Sequence, residues 1–237
     1  MKLHYSACRP LALLKQGRIF SKRHTTGAIG VALILVSCAA TPRVMETPPP
    51  ETIARIDVSM TEFPERPMRP EPPALIMGTG NILPEDLAAF LLSLNPEIEK
   101  DFVDDLAIIY SEEAAIEGVN HDAAFAQMCL ETGFLRFGGL VTPDMNNFCG
   151  LGAIGPEQPG EVFPNPRTGV RAHIQHLKAY ATDAPLEQEL VDPRYRYVRY
   201  GSSPAISGLS GTWAADRAYA EKINSILERL YTFSFGS

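Results

Sequence analysis

The stretch NHDAAFAQMCLETGFLRFGGLVTPDMNNFCGLG, residues 120–152, decides how the chain is to be read. Asn120 is a favourable N-cap, and Asp122 falls in the first helical turn, where the helix dipole favours negative charge. Ala123, Ala124, Phe125, Ala126, Met128, Cys129 and Leu130 then leave almost no solvated face. A helix apolar nearly all round lies inside a domain. It is expected to span 121–132, with Gly133 as its stop. Glu131 stands at the far end, among Met, Cys, Leu and Phe. Burial disfavours the charged form of a carboxylic acid, which is how a general acid is obtained near neutral pH. The competing reading is a carboxylate that pairs with Arg136 and only holds the helix end.

Working outward, Pro84, Glu85 and Asp86 open a helix with Leu87, Phe90, Leu91 and Leu94 at helical spacing, closed by Asn95-Pro96. A second helix is predicted over about 98–117, with Phe102, Val103, Leu106, Ile109 and Tyr110 inward and Gly118 ending it. Its Glu112, Glu113 and Glu117 read as a solvated face. Residues 133–163 are rich in Gly and Pro, with room for a short strand pair at most. Residues 169–181 and 216–231 are predicted helical, the latter amphipathic. The expected architecture is mainly helical (α+β), with a small irregular or β lobe beside one buried helix and a cleft between them.

The N-terminus belongs to no such domain. Residues 1–37 hold six bases (Lys2, Arg9, Lys15, Arg18, Lys22, Arg23) and no acid, followed by the short apolar run 28–36. This pattern describes a secretion signal rather than a membrane span. LVSC at 35–38 resembles the bacterial lipobox, in which the cysteine is acylated, so Cys38 is the expected lipidation site of a lipoprotein held in the cell envelope, at the outer membrane or in the periplasm. Residues 38–73, with prolines at 42, 48, 49, 50, 64, 67, 70, 72 and 73, are expected to form an extended tether, and residues 74–237 the folded domain. Six of the 21 Lys and Arg residues and none of the 28 Asp and Glu residues lie in the leader, leaving a net charge of −13 without it. Such a balance argues against nucleic acid and against an anionic polymer gripped in a basic groove. A glycan would then be held by hydrogen bonds and stacking.

AFAQMCLETGFLRFG followed by NNFCGLGA, with GTWAADRAYAEKI at 211–223, resembles the glucosaminidase domain of glycoside hydrolase family 73, which includes autolytic and flagellar peptidoglycan hydrolases. The resemblance runs from about Leu75 to Tyr231. It implies a lysozyme-like fold and cleavage of the β-1,4 bond after N-acetylglucosamine in peptidoglycan. It matches Glu131 to the general acid, Asn147 and Phe148 to the turn lining the cleft floor, and Tyr219 to a tyrosine near the scissile bond. Gln127, one turn before Glu131, and Trp213 in the C-terminal motif join the candidate substrate-binding set. The competing reading of Tyr219 is an ordinary apolar-face residue of the last helix. Family members carry a second glutamate in the β lobe; Glu161 occupies the appropriate place and Glu157 is its competitor, with attack by the substrate's own N-acetyl group as the alternative. A muramidase or lytic transglycosylase on the same fold, a non-catalytic glycan-binding lipoprotein, and host chitobiose cores as substrate are the rival readings. A monomer is expected, with no cofactor and no metal.

His173 and His176, three apart on a predicted helix, are read as structural rather than ligating, since no third ligand has obvious spacing. Cys129 and Cys149 are equally compatible with a disulfide and with two separate buried thiols. VDPRYRYVRYG at 191–201 alternates aromatics with arginines; sugar stacking at a cleft rim and a structural loop on the core are both open.

Overall fold

The computed structural model describes residues 69–236, which contain five α-helices: α1 (Pro84–Leu94), α2 (Lys100–Glu117), α3 (His121–Thr132), α4 (Pro166–Ala181) and α5 (Tyr219–Phe235). Short 3-10 turns lie at Pro143–Met145, Tyr195–Tyr197 and Ile206–Leu209. The expected leader, Cys38 and nearly all of the tether lie outside the described residues.

α3 is the axis of the domain, contacted by α2, α4 and α5. Its ends form as their residues dictate. The Asn120 side chain accepts from the backbone N–H of Asp122 and Ala123 at 3.0 and 3.2 Å, and Gly133 closes the helix at φ 60°. Asp122, fully buried, accepts from Tyr231 Oη at 2.7 Å and from the backbone N–H of Asn81 and Ile82 at 2.8 and 3.4 Å. One carboxylate therefore fastens the chain before α1, the start of α3 and the end of α5 to one another. Around this post Leu87, Leu91, Leu106, Phe125, Ile174, Leu227 and Tyr231 form a continuous core.

Two helices start elsewhere than predicted. α4 opens at Pro166, three residues before Gly169, because Asn165 caps it by accepting from Thr168 N–H at 2.9 Å and Pro suits the first position. α5 opens at Tyr219 because Asp216 captures the backbone N–H of Ala218 at 2.9 Å and holds 216–218 as a turn.

The acidic face expected on α2 is only partly solvated. Glu113 and Glu117 are 1% and 2% exposed. Glu113 takes Arg171 Nε and Arg167 Nη1, each at 2.9 Å, while Glu117 takes Lys178 Nζ at 2.8 Å and the backbone N–H of Glu187 and Gln188 at 3.0 and 3.1 Å. Their ion pairs tie α2 to α4 and to the segment after it. Helical periodicity registers these residues as polar; their partners arrive from more than fifty positions away.

The second lobe, residues 133–165, contains one isolated antiparallel bridge, Gly155 to Gln158, in place of the expected strand pair. Side-chain amides take over the work of a ladder. Asn147 donates to the carbonyls of Leu151 and Glu161 at 2.9 and 3.0 Å and accepts from Leu151 N–H at 3.0 Å; Asn146 donates to Phe163 O at 3.0 Å. A mainly helical body with a small irregular lobe is the lysozyme-like arrangement expected from the sequence.

Candidate active site

Glu131 leaves the last turn of α3 where the two lobes meet. Unlike the buried residues before it, it keeps access to solvent, because the helix end opens into the cleft. The surrounding protein still raises its pKa above the ordinary carboxylate value by desolvation, opposed by donors from Tyr219 and Trp213. Trp213 Nε1 donates to Glu131 Oε1 at 3.0 Å, and the Tyr219 hydroxyl donates to that same oxygen. Oε2 is left pointing toward Gly150, 3.7 Å from where a Cβ on that residue would stand. A proton on Glu131 therefore belongs on Oε2, on the open side.

Behind Glu131 runs a series of buried hydrogen bonds whose direction is fixed by one group. Gln127 Oε1 can only accept, so His173 Nε2, 3.0 Å away, carries a hydrogen, and His173 Nδ1 accepts from Tyr110 Oη at 2.9 Å. Gln127 Nε2 donates to Tyr219 Oη at 2.8 Å, which leaves the phenol free to donate to Glu131. Burial lowers the His173 pKa to about 3, so the imidazole is neutral as this pattern requires. The direction of every donor, from Tyr110 to Glu131, follows from one amide oxygen.

The backbone after the acid is bent hard. Phe134, Leu135 and Phe137 all have φ between 52° and 58°, a left-handed region that bulky residues seldom adopt. Thr132 secures the bend: its Oγ1 donates to Met128 O at 2.8 Å and accepts from Leu135 N–H at 2.9 Å. Such strain clusters where a site must be held open. Arg136 donates to the carbonyls of Gly133 and Leu94, so the alternative in which it neutralises Glu131 is not the one adopted.

Two cavities of about 260 Å³ flank the acid and share Gly150 and Ala153. Glu131, Phe137, Leu140 and Asn147 line one; Trp213, Tyr180, His176, Arg194 and Tyr197 line the other. Glu161 stands at the same glycine turn: a Cβ on Gly152 would meet its Oε1 at 2.9 Å, and its N–H bonds Leu151 O at 2.8 Å. Glu157 is exposed on the outer loop.

The other candidate residues take different places. Phe148, expected on the cleft floor, is 1% exposed and belongs to the core, since the turn that carries it folds down onto the start of α4. Asn147 reaches the cavity wall, but its amide is committed to holding the lobe. Gln127 is buried and serves Tyr219. Cys129 and Cys149 are separate buried thiols. His176 donates through Nδ1 to Asp192 Oδ2 at 2.7 Å, an orienting pair invisible in the sequence because Asp192 lies in the irregular segment after α4.

A solvent-open carboxylic acid with a raised pKa, in a groove between a helical and an irregular lobe, is the arrangement of a glycoside hydrolase. The glucosaminidase family, described as mannosyl-glycoprotein endo-beta-N-acetylglucosaminidase, matches residues 107–232, and the chain belongs to it. It is similar to an uncharacterized protein of Borreliella burgdorferi, 43% identical over 159 residues that cover 67% of this chain and 78% of that protein. Membership makes the protein a glycoside hydrolase with a glycan substrate.

Proposed function

We propose that the protein is a peptidoglycan hydrolase that cuts the β-1,4 bond after N-acetylglucosamine, with Glu131 as general acid. The observation that carries this is the pair of donors, Trp213 Nε1 and Tyr219 Oη, on a single oxygen of Glu131. With Oε1 occupied, Oε2 delivers its proton to the glycosidic oxygen as the bond to the anomeric carbon breaks. Once the proton has gone, the same two donors stabilise the carboxylate left behind. Water then adds to the anomeric carbon, and its proton restores Glu131 directly or through a base.

Glu161 is the second carboxyl in this reading, acting from across the glycine turn as base or nucleophile; its distance from Glu131 in the substrate complex sets inversion or retention. Substrate-assisted attack by the N-acetyl group, with Tyr219 beside the reacting carbon, is the route that needs no second carboxylate. The basic leader and LVSC at 35–38 support secretion and lipid attachment at Cys38, which would place the enzyme on the envelope facing its polymer.

Purified sacculi treated with wild type and with Glu131→Gln, reduced with borohydride and read by mass spectrometry, test the proposal. Reduced N-acetylglucosamine ends from wild type alone are expected. Reduced muramic ends would make the protein a muramidase, and anhydro ends a lytic transglycosylase. Sedimentation with sacculi without any product would make it a binding protein.

A further inference from the structure

The cavity on the Trp213 side differs from its neighbour in charge. No acid lines it, and Arg194 is its one strongly basic side chain, whereas Glu131 lines the other. Among the described residues Arg194 is in no ion pair, like Arg136, Arg196, Arg199, Arg217 and Arg229, and it alone of these lines this cavity. The Arg194 guanidinium lies 5.0 Å from the Tyr197 ring centre, and Arg196 lies 4.9 Å from that ring. Tyr197 is 63% exposed and lines the cavity, its hydroxyl accepting from Arg196 Nη2 at 2.8 Å.

The rim that presents Arg194 is built on α4. Gln175 Oε1 accepts from the N–H of Val191 and Asp192 at 2.9 and 3.2 Å, and Asp192 Oδ1 accepts from Arg194 N–H at 2.8 Å. Asp192 Oδ2 takes the His176 Nδ1 hydrogen, leaving Nε2 as that ring's other polar atom in the cavity wall. His176 also packs edge-on against Trp213, ring centres 5.1 Å apart. The cation is thereby held in the same cavity wall as Trp213, whose indole N–H donates to Glu131.

We propose that this cavity is a subsite for a carboxylate-bearing sugar, with Arg194 pairing the carboxylate and Trp213 and Tyr197 flanking the ring. The inference rests on the cell-wall reading above and deepens it. A carboxylate on the lactyl ether or on the attached peptide is the feature that separates a muramic-acid strand from a neutral chitobiose core. Arg is suited to it because its planar fork meets both carboxylate oxygens while its face rests on an aromatic ring.

The test is binding to the full chain carrying Glu131→Gln, measured calorimetrically at low and high salt. The ligands are peptide-bearing glycan fragments, the same fragments stripped of peptide, and neutral chitotetraose. At low salt an anionic fragment is expected to bind about tenfold tighter than chitotetraose, as for one charge-assisted pair in a partly desolvated site. Adding Arg194→Gln should bring that ratio to about one, Arg194→Lys should keep part of it, and salt should shrink it. An advantage for stripped fragments assigns the lactyl carboxylate; an advantage confined to peptide-bearing fragments assigns the peptide. A ratio near one before Arg194 is changed, a ratio unmoved by Arg194→Gln, or no binding of any ligand overturns the subsite. Wild type on sacculi separates the two claims. Products with an Arg194-independent ratio sink only the subsite, and an Arg194-dependent ratio without products sinks only the hydrolase reading.

Discussion

At the scale of the residue, Glu131 is governed by its two donors and by desolvation. Tyr219→Phe removes one donor that favours the charged carboxylate, so the Glu131 pKa should rise further and the alkaline limb of the kcat/KM profile should move to higher pH. The same change leaves Gln127 Nε2 buried without its acceptor, costing about 1–3 kcal/mol in denaturant unfolding. Glu131 itself opposes stability at high pH. Its folded pKa is raised, so between the ordinary carboxylate range and that raised value the native state binds more protons than the unfolded chain. The stability this confers is complete below the ordinary range and disappears as pH rises through the raised pKa. Glu131→Gln, which cannot ionise but can still accept both donors, should therefore raise Tm relative to wild type at pH 8 and not at pH 4. Equal differences at the two pH values would show that burial does not shift this group.

At the scale of the element, the cleft depends on how the Asn146–Phe148 turn is seated on α4. A Cβ on Gly169 would lie 1.8 Å from Asn146 O, a backbone atom that cannot step aside. Gly169→Ala should therefore cost at least about 3 kcal/mol, at the upper end of overpacking penalties, and should displace Phe148 from the core. Intrinsic fluorescence and near-ultraviolet circular dichroism would follow the loss; an unchanged unfolding midpoint would mean the turn is not fixed there. Gly118, Asn120 and Gly133 made the end of α2 and both ends of α3 legible, because caps act within a few residues, whereas the Asn165-Pro166 start of α4 was missed by three residues. The start of α5 was misread by three residues, since an Asx turn at Asp216 competes with helix and leaves no mark in the hydrophobic pattern.

At the scale of the whole molecule, Glu113 and Glu117 clamp α2 to α4 and to the chain that leads to the Arg194 rim. Glu117→Ala would leave Lys178, 3% exposed, without its acid partner, so a loss of about 3–5 kcal/mol is expected on chemical unfolding. Replacing Glu117 and Lys178 together by Leu and Met should cost less, because no uncompensated charge is left and the remaining loss comes from the N–H groups of Glu187 and Gln188 that lose their acceptor. Patterns within a dozen residues and short motifs sufficed for the existence of the five helices, the stops of α1 to α4, the acid at the end of α3 and the family, while α5 runs four residues past the expected Tyr231. That Trp213 and Tyr219, 82 and 88 positions after Glu131, meet one of its oxygens came from the folded chain alone. The same holds for Phe148 in the core and for Arg194 on a cavity wall. One cause is common to all of these: a side chain's partner and its exposure are set by where the chain returns, and local periodicity carries no record of that.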